Sequence, residues 1–297
     1  MAGSVERSRR LRAVGAHLAK SSSALRSSTA SAEQLDGLRL TPISPHLGAE
    51  VEGVDLKQPL SPAQVSAVYD ALLRHKVLVF KRIGLSHAEQ VRFTYELSGA
   101  SPHVGEPTIG HTVFGHAEGF PEIYSVYQGD RIKPKNMEKY TASSQKYPWT
   151  GYHCDITACV NPPCIGMLRG DTIPEGAGDT NFGNLARAFE TLSDEMKERI
   201  LHMTAEHEYK IGGYTAQSIA DRKMISHHPL VTVHPDTGER ILYNSPGFLK
   251  FITGMPFLES KALLHELWGH SVEYTIQHKW SEGDLVVWVR IALSCFC

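Results

Sequence analysis

Cysteine is scarce in this chain of 297 residues, five in all: Cys154, Cys159, Cys164, Cys295 and Cys297. So few and so clustered, they do not make the disulfide framework of a secreted protein. The first three are spaced evenly by five, without the close pairs of a structural zinc site, and read as ordinary thiols. A reducing compartment follows, cytoplasmic, with mitochondrial as the alternative. Long hydrophobic runs are also missing, none approaching the roughly 18 to 20 residues that a membrane-spanning helix needs. Net charge is nearly absent, −2 with a pI near 6.8, so there is no net positive field to attract nucleic acid or an anionic membrane. There is no internal repeat and no phosphate-cradling Gly-x4-Gly-Lys-Ser/Thr pattern. Neither nucleic acid nor a membrane is expected as a partner, and a homo-oligomer is left open.

What is present is an ordinary globular composition, 41% hydrophobic and 21% charged, enough for one large core or two small ones. The opening residues stand apart, with six Arg/Lys in the first 32, one acid (Glu6) and the run "KSSSALRSSTAS". Residues 1–36 are expected to be a disordered Ser/Arg-rich tail, or a mitochondrial transit peptide. The remainder, 37–297, reads as one domain. Helices are expected over 62–77, 86–99, 184–200 and "PFLESKALLHELWGHSVE". "VLVF" (77–80) reads as a buried strand, "HPLVTVHPDTGERILYN" as a hairpin, and "TIQHKWSEGDLVVW" as two short strands around a Glu-Gly-Asp turn. The polar stretch 129–150 reads as a loop or lid. Many short strands with helices set outside them predict an α+β, mainly β fold, a β-sandwich or barrel with peripheral helices.

The stretch "GYHCDITACVNPP" (151–163) places His153 and Asp155 two residues apart. On a strand they share one face and could address a single ion while Cys154 points away. Imidazole plus carboxylate is two thirds of the facial triad that holds non-heme Fe(II). The spacing alone also fits a surface or hydrogen-bonded pair.

The surroundings add to this. The stretch "YHCDITACVNPPCIGMLRGDTIPEGAGDTNFGNLARAFETLS" resembles the TauD/TfdA (taurine dioxygenase) family of Fe(II)- and 2-oxoglutarate-dependent oxygenases. So do "GAEVEGVDL", "HKVLVF", "HTVFGHAEG", "HPLVTVHPDTGER" and "EGDLVVW", from about 38 to 288. The resemblance implies a double-stranded β-helix (jelly-roll) and a dioxygenase that uses Fe(II), 2-oxoglutarate and O2. Its substrate would be a small organic acid such as the sulfonate taurine. His153 and Asp155 would then be catalytic metal ligands, and Thr180 in "GAGDT" would bond the 2-oxoglutarate carboxylate. His111 falls at a substrate-binding position, with Phe114 and Trp149 giving a more apolar pocket; both aromatics equally fit core positions. His116, His227, His228 and His234 match recurring family positions in strand and turn contexts and are read as structural hydrogen-bonding residues.

In that family the strand after "GDLVVW" continues Asp-Asn-Arg-x-x-x-His, and a later strand brings an arginine to the keto acid. Here "VRIALSCFC" follows Trp288, so the histidine position falls on Cys295, or on Ser294 if Arg290 is the motif arginine. The expectation is a jelly-roll lacking its last strands, with an alternative or misread end. A member that is catalytically impaired and acts only by binding is the alternative to an active oxygenase.

Overall fold

The computed structural model describes residues 32–107, 115–124, 147–173, 178–210 and 223–296. The expected tail up to residue 31, most of the expected lid, and both His111 and Phe114 lie outside the described residues. The strands run, in chain order, β1 (Glu33–Leu35), β2 (Leu38–Pro42), β3 (Ala49–Glu52), β4 (Val77–Phe80), β5 (His116–Ala117), β6 (Phe120–Tyr124), β7 (Ile165–Arg169) and β8 (Thr180–Asn184). They continue with β9 (Thr204–Lys210), β10 (Lys223–Pro229), β11 (Val231–Val233), β12 (Arg240–Leu242), β13 (Leu249–Ile252), β14 (Thr275–His278), β15 (Leu285–Val289) and β16 (Leu293–Phe296). The helices among the described residues are α1 (Pro62–His75), α2 (His87–Ser98), α3 (Leu185–Glu190), α4 (Asp194–Ile200) and α5 (Phe257–Ser271). The first strand begins at Glu33, inside the stretch expected to be tail.

A six-stranded sheet in the order β1-β2-β3-β4-β15-β7 forms the centre, antiparallel except where β3 meets β4. The neighbouring strands β4 and β15 are buried on both faces, which is why "VLVF" and "LVVWV" are apolar throughout rather than alternating. Leu78, Phe80, Leu285 and Val287 pack on the side of α1 and α2, against Ala67, Val68, Leu72, Phe93 and Leu97. Val77, Val79, Val286 and Trp288 face the other way, onto Phe182, Ile276 and Leu293 of a second sheet ordered β14-β8-β16. The protein is therefore mainly β, two sheets face to face with helices outside. A third sheet, β10-β9-β13, packs with α5 around Leu249, Ile252, Leu263 and Leu264.

Both early helices start at capping boxes. Ser61 and Gln64 exchange bonds at the head of α1, and Ser86 and Glu89 do the same at α2. The single helix expected over 184–200 is two. Asn184 caps α3 by accepting from the Arg187 N–H, and Ser193 restarts the chain as α4 by accepting from Met196. The strands around the Glu-Gly-Asp turn do not form a hairpin: β14 joins the second sheet and β15 the first, so the turn carries the chain between layers. Residues expected to leave the sheet short form β16, antiparallel to β8 with Leu293 opposite Asn184 and Phe296 opposite Asn181. No helix among the described residues is long and apolar enough to cross a membrane.

Candidate metal centre

His153 is a single bridge residue rather than part of a strand, and the chain enters a turn at Asp155. The bridge is fixed on both sides: the Gly247 N–H donates to Tyr152 O at 3.0 Å, and the Cys154 N–H donates to Ser245 Oγ at 3.0 Å. Only glycine fits at 247, where an added Cβ would lie 2.9 Å from the His153 Cβ. Ile156 then takes a left-handed conformation, φ 52°, strained for a β-branched side chain. The two side chains of the His-x-Asp stretch come together, but through a bridge and a tight turn instead of a strand's pleat. His153 Nε2 lies 3.1 Å from Asp155 Oδ1, while Cys154 is buried in the main core.

The His153 Nδ1 is 2.8 Å from the Gly151 carbonyl oxygen. A carbonyl only accepts, so we assign the ring proton to Nδ1 and the lone pair to Nε2. Burial pushes the His153 pKa down; the Gly151 bond opposes this, and the charge of Arg290 adds to the lowering. The ring is thus in its neutral, metal-binding form near neutral pH. Nε2 and Oδ1 are then two acceptors facing each other. Their separation suits two neighbouring ligands of one ion, since bonds of about 2.1 Å at right angles put the donor atoms about 3.0 Å apart.

The second carboxylate oxygen is engaged otherwise. Arg290 Nη2 sits 2.8 Å from Asp155 Oδ2, with the arginine side chain 7% exposed and the aspartate 28%. Arg290 opens the 3₁₀ turn Arg290–Ala292 between β15 and β16, and its N–H donates to Cys164 O at 2.7 Å. Among the described residues no group of three His, Cys, Asp or Glu side chains could hold a metal ion. The donor set present fits two positions of a metal centre.

Thr180 begins β8, buried, and its Oγ1 accepts from the Trp280 indole N–H at 2.9 Å. Trp149 is in an aromatic cluster, stacked on Tyr147 at 5.2 Å and tilted against His265 and Trp268 of α5. It also lines a small cavity with Tyr152, Leu185, Asn244 and Trp268. Of the expected site residues, the structure brings His153 and Asp155 into contact and sets Trp149 among the side chains of α5.

The pairing of Arg290 with Asp155 and the burial of Thr157 were not read from the sequence. Arg290 is the single charge in "LVVWVRIAL", and a charge in so apolar a stretch requires a buried partner; that was its signal. Thr157 is fully buried two residues beyond Asp155 and is bonded by His207, Ser226 and His228. His228 was given a structural hydrogen-bonding role, and its partners prove to be the carbonyls of Thr157 and Cys159.

Known proteins resemble this chain in sequence and fold. An alkylsulfatase of Acinetobacter baylyi is 30% identical over 267 residues, 84% of this chain and 77% of that protein. An alpha-ketoglutarate-dependent sulfate ester dioxygenase of Pseudomonas putida is 30% identical over 266 residues, 84% of this chain and 81% of that one. Among solved structures, a taurine dioxygenase from Burkholderia xenovorans matches with a TM-score of 0.73 and 39% identity, covering 88% of this chain and 82% of its own. Residues 39–289 match the taurine catabolism dioxygenase TauD, TfdA family, and this chain belongs to that family of 2-oxoglutarate-dependent dioxygenases.

Proposed function

We propose that this protein is an Fe(II)- and 2-oxoglutarate-dependent dioxygenase that hydroxylates a small organic acid, in particular a sulfonate such as taurine. The observation that carries the reading is the pairing of His153 Nε2 with Asp155 Oδ1 at 3.1 Å, the ring turned by its bond to Gly151. These two atoms would hold the ion. The chemistry such a bound ion supplies is activation of O2, coupled to decarboxylation of 2-oxoglutarate to succinate and CO2. One oxygen atom goes to succinate and the other to the substrate carbon. For a sulfonate, hydroxylation at the carbon bearing sulfur releases sulfite and leaves an aldehyde.

The chain's own residues bind and orient. Thr180, whose Oγ1 accepts from the Trp280 indole N–H, would bond a carboxylate of the cosubstrate. By the family resemblance, His111 would bind the substrate's acid group, and Phe114 and Trp149 would make its surroundings more apolar. The relatives named for sulfate esters and the structure named for taurine support an organosulfur acid as substrate. Incubation with Fe(II), 2-oxoglutarate, O2 and a panel of sulfonates and sulfate esters tests this. The expected result is 2-oxoglutarate-dependent succinate, with sulfite from an accepted sulfonate; no succinate above the substrate-free rate would refute it.

A second reading, a member that binds metal or 2-oxoglutarate without turnover, is favoured by Arg290 on Asp155 Oδ2. It predicts binding of both ligands with no succinate formed.

A further inference from the structure

The turn that carries Asp155 is gripped by a hairpin remote in sequence. Strands β9 and β10 pair antiparallel with Ser226 opposite His207, so His207, Ser226 and, two residues on, His228 stand on one face of the hairpin. All three reach the turn. His207 Nδ1 is 2.8 Å from Thr157 Oγ1, Ser226 Oγ donates to Thr157 O at 3.0 Å, and His228 Nε2 is 2.9 Å from both Thr157 O and Cys159 O. Because both carbonyls only accept, His228 Nε2 carries a proton and bridges the two ends of the turn. The His207 ring cannot swing away: it is fully buried, stacked on Tyr243 at 5.4 Å and edge-on to His228 at 5.3 Å. Within the turn, Ile156 is held at φ 52°, a conformation an isoleucine keeps only when its surroundings over-determine it.

From this we infer that Thr157, His207, Ser226 and His228 are positioning residues for Asp155. They fix the turn so that Oδ1 stays at chelating distance from His153 Nε2. The inference rests on the reading of His153 and Asp155 as metal ligands, and the residues named contact no reacting atom themselves. Partners that orient metal ligands typically change metal affinity by about 10 to 100-fold when lost.

The test is Mn(II) alone, titrated into the full chain and followed by the EPR signal of the free ion. Thr157→Val keeps the side chain's shape and removes its hydroxyl; Thr157→Ser keeps the hydroxyl. The inference expects Mn(II) binding at least about 10-fold weaker in T157V, recovered in T157S to within a few-fold of the parent. Ser226→Ala, which deletes a different bond to the same turn, is expected to weaken binding as well and serves if T157V fails to fold. Variants that lose thermal stability yet bind Mn(II) as tightly as the parent would overturn the inference and leave the metal reading standing. A parent protein that binds no Mn(II) would overturn the metal reading, and this inference with it.

Discussion

Replacing Arg290 with methionine removes the cation from Asp155 while keeping a long side chain in the apolar stretch between β15 and β16. Removing one partner of a buried ion pair costs about 3–5 kcal/mol. Asp155 keeps 28% of its side-chain exposure, so water recovers part of this, and a loss of about 2–3 kcal/mol is expected. At about 2–4 °C per kcal/mol for a domain of this size, the melting midpoint drops by about 5–10 °C. Arg290 makes further interactions, so the pair itself is isolated by a double-mutant cycle with Asp155→Asn, expected to show a coupling of about 1–2 kcal/mol. Metal supplies the functional half of the assay. Without the guanidinium, a divalent ion is the natural counter-charge for Asp155, and Mn(II) should raise the midpoint of R290M more than that of the parent. Additive effects in the cycle, within about 0.5 kcal/mol, together with equal Mn(II) shifts, would refute the reasoning.

Other consequences are equally specific. Trp280→Phe deletes the bond to Thr180 Oγ1, and about 1 kcal/mol lost there should weaken 2-oxoglutarate binding about five- to tenfold by calorimetry. Gly247→Ala pushes a methyl against His153; a stability loss of about 1–3 kcal/mol in denaturant unfolding, with weaker Mn(II) binding, is expected. Burial, helped by repulsion from His228 and His227, lowers the His207 pKa to about 3, well under its unfolded value near 6.5. Its contribution is therefore complete above about pH 6.5 and lost as pH falls toward 3, on the order of a few kcal/mol. Melting curves from pH 7 to 4 should show this fall, and a shallower one in His207→Gln.

The layered β architecture was legible because burial leaves a mark on sequence: "VLVF" and "LVVWV" lack polar alternation since both faces are covered. Helix starts were legible for a local reason, the Ser-x-x-Gln and Ser-x-x-Glu boxes at 61 and 86. The break between α3 and α4 was not, because the apolar period of 184–200 runs on through Ser193, and only the hydrogen bond to Met196 shows it capping a new helix. The His153–Asp155 pair was legible as spacing, yet the turn that brings the two together holds a left-handed isoleucine and contacts residues about 50 to 135 positions away. Such long-range contacts leave no periodic trace. Arg290 left a trace, a lone charge among apolar residues, but the identity of its partner required the fold.

The central claim is that His153 and Asp155 form a metal site that accepts a keto acid. Its most direct test is an anaerobic titration of Fe(II) and 2-oxoglutarate into the full chain, watching for the weak visible charge-transfer band of a keto acid chelated to iron, with His153→Ala as control. The account predicts a band that saturates with both ligands and is absent in the variant. No band in a folded parent protein, or an equal band in His153→Ala, would contradict it.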